Sequence, residues 1–149
     1  MSAACSWRGI SCRTSVHGSQ HRLAIIGISL RGMRLRGALE SLNFSALRTL
    51  TRLDLSHNLL TGSIPPSIEV LGELCALLLQ GNQIRGSIPV GIGNLTKLCF
   101  LMLHENEVSG GIRRQIGNMS SLVTLNLSNN HLVGDIPSEV GHLKHLVLC

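Results

Sequence analysis

Leu95-Thr96-Lys97-Leu98-Cys99-Phe100-Leu101-Met102-Leu103-His104-Glu105-Asn106-Glu107-Val108-Ser109-Gly110-Gly111-Ile112 decides the fold, because it is one copy of a pattern that recurs. Its first leucine belongs to a series, Leu47, Leu71, Leu95, Met119 and Leu143, at a constant interval of 24 residues. Four full units read L-x-x-L-x-x-L-x-L-x-x-N-x-L-x-G-x-I-P. The second leucine recurs as Leu50, Leu74, Leu98 and Leu122. The Leu-x-Leu pairs are Leu53/Leu55, Leu77/Leu79, Leu101/Leu103 and Leu125/Leu127. Asn58, Asn82, Asn106 and Asn130 follow, then Gly62, Gly86, Gly110 and Gly134, then Ile64, Ile88, Ile112 and Ile136. Pro65, Pro89 and Pro137 come after three of the isoleucines, and Arg113 takes that place in the remaining unit. Self-similarity at such a period marks an array of stacked units, each burying its apolar side on the next.

The chemistry of each position specifies a coil with one flat face. In Leu-x-Leu, alternation turns both leucines inward and the middle residue outward, as in a short strand. Successive coils then pair these strands in parallel, about 4.8 Å apart. The asparagine stands where the chain leaves the sheet, and its amide both donates to and accepts from backbone groups, so stacked copies form a ladder. Glycine permits a conformation that a Cβ opposes. Proline fixes φ and ends strand pairing, sending the chain over the back of the coil. The expected fold is an α/β-type repeat, a right-handed solenoid with a parallel concave β-sheet and an irregular or 3-10 convex side.

A chain of 149 residues fits one domain. Apolar residues make up 44% but aromatics only 2%, with no tyrosine, so the core is expected to be aliphatic. An earlier, degenerate unit carries Ile28, Leu30, Leu35, Gly37 and Leu39, with Met33 in place of the asparagine and one extra residue. Such departure suits an end coil, which meets a different neighbour on one side. A further unit starts at Leu143 and Leu146. Residues 1–52 hold eight Lys/Arg against Glu40 alone, and the remainder five against seven acidic residues. The basic residues are not interleaved with aromatics, so nucleic acid is not an expected partner. Apolar runs such as Leu77-Leu78-Leu79 are far shorter than the roughly 20 residues a bilayer needs. Met1-Ser2-Ala3-Ala4 runs into Cys5 without the apolar core of a signal peptide.

The Gly-x-Ile-Pro half of the unit resembles the plant-type leucine-rich repeat, found in ectodomains of receptor-like kinases, in receptor-like proteins and in polygalacturonase-inhibiting proteins. Cys5-Ser6-Trp7-Arg8-Gly9-Ile10-Ser11-Cys12 resembles the C-x-W-x-G-[VI]-x-C end of that family's N-terminal cap, and 37–45 resembles the first repeat of one receptor-like kinase group. The resemblance implies a partial cysteine cap at 1–21 and a solenoid at 22–149, made of one degenerate repeat, four full repeats and one truncated repeat. It also implies a Cys5–Cys12 disulfide, extracellular or plasma-membrane-surface placement in the parent protein, and a membrane link only through segments beyond this chain. The family's membrane span and kinase domain have no counterpart here, so the chain reads as a piece of a receptor ectodomain and not as an enzyme.

Other constellations are weighed against scaffold. His17 and His21 follow Cys5 and Cys12, but the cysteine spacing is too long for a zinc finger, so no metal is expected. Cys75 and Cys99 occupy equivalent places on neighbouring coils, close enough in Cα separation for a bridge, although parallel register gives poor Cβ geometry and favours free thiols. Cys149 is unpaired by count. Four N-x-S/T sequons, at Asn43, Asn94, Asn118 and Asn126, are candidate glycosylation sites. Asn94 and Asn118 fall on the convex side, whereas Asn126 falls on the concave sheet, where a glycan obstructs a ligand. No nucleophile–base pair or phosphate loop assembles and no cofactor is implied.

The candidate ligand-binding residues are those facing out of the concave sheet: Arg52, Asp54, Leu78, Gln80, Phe100, Met102, His104, Glu105 and Val123. Leu78, Phe100, Met102 and Val123 are expected to form a contiguous apolar patch, a common sign of an interaction site. The resemblance implies recognition of a secreted peptide, a microbial ligand or a co-receptor ectodomain. Inhibition of a cell-wall hydrolase and a non-functional truncated product are the alternatives.

Overall fold

The computed structural model describes residues 3–17 and 20–147. Cys149 and Leu148 lie outside the described residues, as does the side chain of His17. Among the described residues the strands are β1 (Ile10–His17), β2 (Gln20–Ser29), β3 (Arg36–Ala38), β4 (Arg52–Asp54), β5 (Leu59–Thr61), β6 (Ala76–Leu78), β7 (Arg85–Gly86), β8 (Phe100–Met102), β9 (Glu107–Gly110), β10 (Thr124–Asn126) and β11 (His131–Leu132). One sheet runs β1-β2-β4-β6-β8-β10. From β2 onward it is parallel and in strict register, with Leu53 beside Leu77, Leu77 beside Leu101 and Leu101 beside Leu125. The period-two reading of Leu-x-Leu therefore holds in all four full coils.

The N-terminal end is built differently. β1 pairs antiparallel with β2, whose last three residues also pair in parallel with β4. Gln20–Ser29 is thus one strand that runs across the division expected between residues 21 and 22. A hairpin caps the solenoid by continuing its sheet.

A second set of ladders was not foreseen from the repeat. β3 pairs with β5, and β7, β9 and β11 form a three-stranded parallel sheet. β5, β7, β9 and β11 follow the asparagine, and the glycine that ends or follows each turns the chain at φ near +77°: +76° at Gly62, +78° at Gly86, +77° at Gly110 and +82° at Gly134. L-residues avoid that region, which is why glycine recurs there. The return across the back is a 3-10 turn in each coil, Pro66–Val70, Val90–Asn94, Arg114–Asn118 and Ser138–His142, entered through extended Pro65, Pro89, Arg113 and Pro137.

The asparagine ladder holds the coils together. Asn106 Nδ2 donates to Leu103 O of its own coil and to Leu79 O of the preceding one, both at 3.0 Å. Its Oδ1 accepts Ile84 N at 3.0 Å. Asn58, Asn82 and Asn130 repeat the arrangement.

The core is one aliphatic column of leucines and isoleucines. It contains one aromatic that composition did not point to: Phe44 is buried, on a 3-10 turn (Phe44–Leu47) capped by the Asn43 side chain, which accepts Ser45 N at 3.0 Å. The degenerate first coil fits less closely, and a cavity of about 330 Å³ lies between Ile28, Leu30, Leu35, Phe44, Leu47 and Leu53. At the other end the packing opens. Ile64 is 3% exposed but Ile136 is 71% exposed, and Leu125 and Leu127 are only half-buried.

Candidate functional site

The strict register of the concave sheet fixes two rows of outward side chains. One row is Arg52, Ala76, Phe100 and Thr124, and the other is Asp54, Leu78, Met102 and Asn126. Phe100 is 42% exposed beside buried Ala76, and half-buried Leu78 and Met102 lie side by side in the next row. Phe100, Leu78 and Met102 thus share the outward face of two adjoining strands, β6 and β8. Thr124, and not Val123, is the register partner of Phe100, because Val123 stands one residue before the strand and falls in line with Cys75 and Cys99.

Exposure corrects the expected site further. Asp54 is only 4% exposed and Gln80 only 8%, and Ser56 is fully buried. Asp54 serves the scaffold: its Oδ1 accepts the N–H and hydroxyl of Ser56 at 3.2 and 2.7 Å, and its Oδ2 pairs with Arg52 Nη2 at 3.1 Å. A buried carboxylate needs such partners, so Asp54 is spoken for. Asn126 does the same for Ser128, at 3.1 and 2.8 Å. The signal was legible in the sequence as Asp-x-Ser and Asn-x-Ser at one repeat position.

Between these coils the same two positions hold Leu78 with Gln80 and Met102 with His104, and no such bonds form. Gln80 Oε1 and His104 Nδ1 are buried without a hydrogen-bond partner. Glu105 follows His104, exposed, at φ +56° in the left-handed region. His57 at +53° and Asn129 at +53° occupy the same turn in other coils, as does Gly81 at +68°. The sequence reading missed this shared turn, because only one of the four residues is a glycine.

The other candidates fall around this face. Cys5 and Cys12 are joined in a disulfide, with Cα atoms 5.8 Å apart, so they are not a thiolate pair for zinc. Cys75 and Cys99 are free, half-buried thiols on adjoining coils. Hydrogen bonding to the Cys75 thiol, aided by burial, raises the Cys99 thiol above its ordinary value. Among the described residues no group of three or more His, Cys, Asp and Glu is placed to hold a metal. No helix of the described chain is long and apolar enough to cross a membrane. Asn43, Asn94 and Asn118 are exposed, the last two ending 3-10 turns, while Asn126 is half-buried beside Met102. Glu40 accepts Ser63 N at 2.6 Å; its carboxyl is held below the ordinary value by its own backbone N–H first and by that of Ser63 second.

A flat parallel sheet, an asparagine ladder and a glycine turn repeated in register also describe a known family. The Leucine Rich Repeat family model matches residues 49–71, 73–95 and 121–143. A chain from the BIR3–SERK2 complex of Arabidopsis thaliana is 37% identical, with a TM-score of 0.81, over 97% of this chain and 78% of that one. The chain belongs to the leucine-rich-repeat ectodomain family of plant receptor kinases. The ectodomain of the receptor kinase SOBIR1 from Arabidopsis thaliana is similar at 27% identity and a TM-score of 0.87, covering 97% of this chain and 80% of that chain. The plant peptide hormone receptor RGFR1, solved in complex with RGF2, is 45% identical with a TM-score of 0.72, over 74% of this chain and 18% of that one. Of the four full units, the one left unmatched, between 95 and 121, carries both Phe100 and Arg113.

Proposed function

We propose that the chain is a peptide- and protein-recognition module, the ligand-binding part of a receptor-like kinase ectodomain, working by surface complementarity and not by catalysis. The observation that carries this reading is the apolar group of Phe100, Leu78 and Met102, left accessible in the middle of a sheet whose flanking coils are polar and internally bonded. An aromatic 42% exposed on a soluble scaffold is a usable anchor for a partner side chain. The partners are a secreted peptide or a co-receptor ectodomain, in keeping with the solved complexes of BIR3 with SERK2 and of RGFR1 with RGF2. The reading places the protein at the cell exterior. Glycans on exposed Asn43, Asn94 and Asn118 would leave the concave face open, whereas one on Asn126 would stand beside Met102. The proposed division is a hairpin cap carrying Cys5–Cys12, followed by the stacked coils.

The test is selection from a displayed library of short extended peptides against the chain and against a Phe100→Ser, Met102→Ser variant checked for fold by circular dichroism. Enrichment by the parent that the variant loses supports concave recognition. Equal enrichment by both refutes it.

A further inference from the structure

The two central coils break a rule that their neighbours keep. In the β4 coil Asp54 Oδ1 accepts the N–H and hydroxyl of Ser56, and in the β10 coil Asn126 does this for Ser128. These coils satisfy their own outward polar groups. Leu78 and Met102 at the matching positions have no oxygen to offer, and the polar side chains two residues on are left over. Gln80 is 8% exposed, and its Oε1 has no partner; His104 Nδ1 is likewise buried and unpaired. The coils stay aligned at this point, since Gly81 N donates to His104 O at 3.1 Å, so Gln80 and His104 are neighbours. Buried polar atoms without partners are uncommon in native proteins and call for an explanation.

The surroundings say what is missing. Gln80 Oε1 is an acceptor, His104 Nδ1 is an acceptor in the Nε2–H tautomer, and the next residue is exposed Glu105, which forms no ion pair among the described residues. His57 leans over Gly81, filling the space a Cβ there would need, and walls the site on one side. The two covered, unpaired acceptors and the exposed Glu105 carboxylate are electron-rich, so a group that satisfies all three carries several N–H donors and positive charge. Gln80 stands two residues beyond Leu78, the end of β6, and His104 two beyond Met102, the end of β8, and two residues of extended chain span about 7 Å, the spacing of alternate side chains in an extended peptide.

We propose that Gln80 and His104, once their covered side chains turn outward, form with exposed Glu105 a pocket for the guanidinium or ammonium group of an extended peptide whose nearby apolar side chain rests on Leu78, Met102 and Phe100. This rests on the concave-recognition reading above and adds the chemistry of the peptide: an apolar residue with a basic residue two places away. Arginine suits the pocket better than lysine, because its planar fork reaches several acceptors at once.

The experiment is an NMR titration of the full chain, following the Met102 methyl and the Gln80 side-chain amide. The probes are capped Leu-Ser-Arg and its analogues with citrulline or glutamate in the last place. Leu-Ser-Arg is expected to shift both signals saturably and to bind about tenfold more tightly than the citrulline or glutamate peptide. Glu105→Gln, an exposed change, and Gln80→Leu, checked for fold, should each remove most of that preference. Equal binding of all three peptides at Met102, or a preference unaltered by both substitutions, overturns the pocket while leaving concave recognition standing. Signals that no peptide moves overturn the pocket together with the recognition reading beneath it.

Discussion

Replacing Asn106 by alanine tests how the coils are held together, and the structure sets the expected cost. The amide makes three donor contacts, to Leu79 O and Leu103 O at 3.0 Å and to His104 O at 3.3 Å, and accepts Ile84 N at 3.0 Å. Summing four bonds overstates the loss. Leu79 O keeps the Asn82 amide and Leu103 O keeps the Asn130 amide, each at 2.9 Å, and His104 O keeps Gly81 N at 3.1 Å. Only Ile84 N loses its partner, and Ile84 is fully buried, so water cannot replace it. One orphaned buried donor costs about 1–3 kcal/mol. For a chain of this size that lowers the melting temperature by about 4–8 °C at the middle of the range. Asn58→Ala is the internal control. It frees Leu35 N and Leu30 O, both in half-buried residues of the loosely packed first coil, where water can reach. Thermal unfolding followed by circular dichroism should rank Asn106→Ala below Asn58→Ala, and both below the parent. An Asn58 variant that melts at or below the Asn106 variant refutes the reasoning.

Gly62→Ala should destabilise more than Gly134→Ala in urea titrations. Both glycines sit at positive φ, a penalty of about 1–2 kcal/mol for an L-residue, but only at Gly62 does the new Cβ also displace the Glu40 carboxylate; equal midpoints would show that Glu40 is not anchored. The depressed folded-state value of Glu40 gives a stabilising contribution that is present above the ordinary glutamate value and lost as pH falls through the lower one. Glu40→Gln should accordingly flatten the acid limb of stability against pH, and an unchanged limb counts against the Ser63 contact. Val133 and Ile136, 66% and 71% exposed on the open end coil, should drive self-association. Light scattering under reducing conditions should show less of it for Val133→Ser with Ile136→Ser, and an unaltered size distribution would place the contact elsewhere.

The sequence by itself determined the coil. A fixed interval between Leu47, Leu71, Leu95 and Met119 leaves one way to turn the repeating apolar positions inward together, and the alternation in Leu-x-Leu leaves one direction for each side chain. The Leu-x-Leu strands of the concave sheet, the asparagine ladder and the recurring glycine turns follow from local pattern, because each interaction joins a residue to its own copy one period away, whereas the second set of ladders does not. Tertiary structure decided which outward residues are available. Asp54 and Gln80 look equally free on paper, yet both are buried, the first held by Ser56 and Arg52 and the second left unpaired. It also decided that Phe44 enters the core, that β1 folds back on β2, and that Thr124 rather than Val123 adjoins Phe100. The physical reason is that repeat periodicity fixes backbone register, whereas exposure and bonding depend on which different side chains become neighbours once the coils stack.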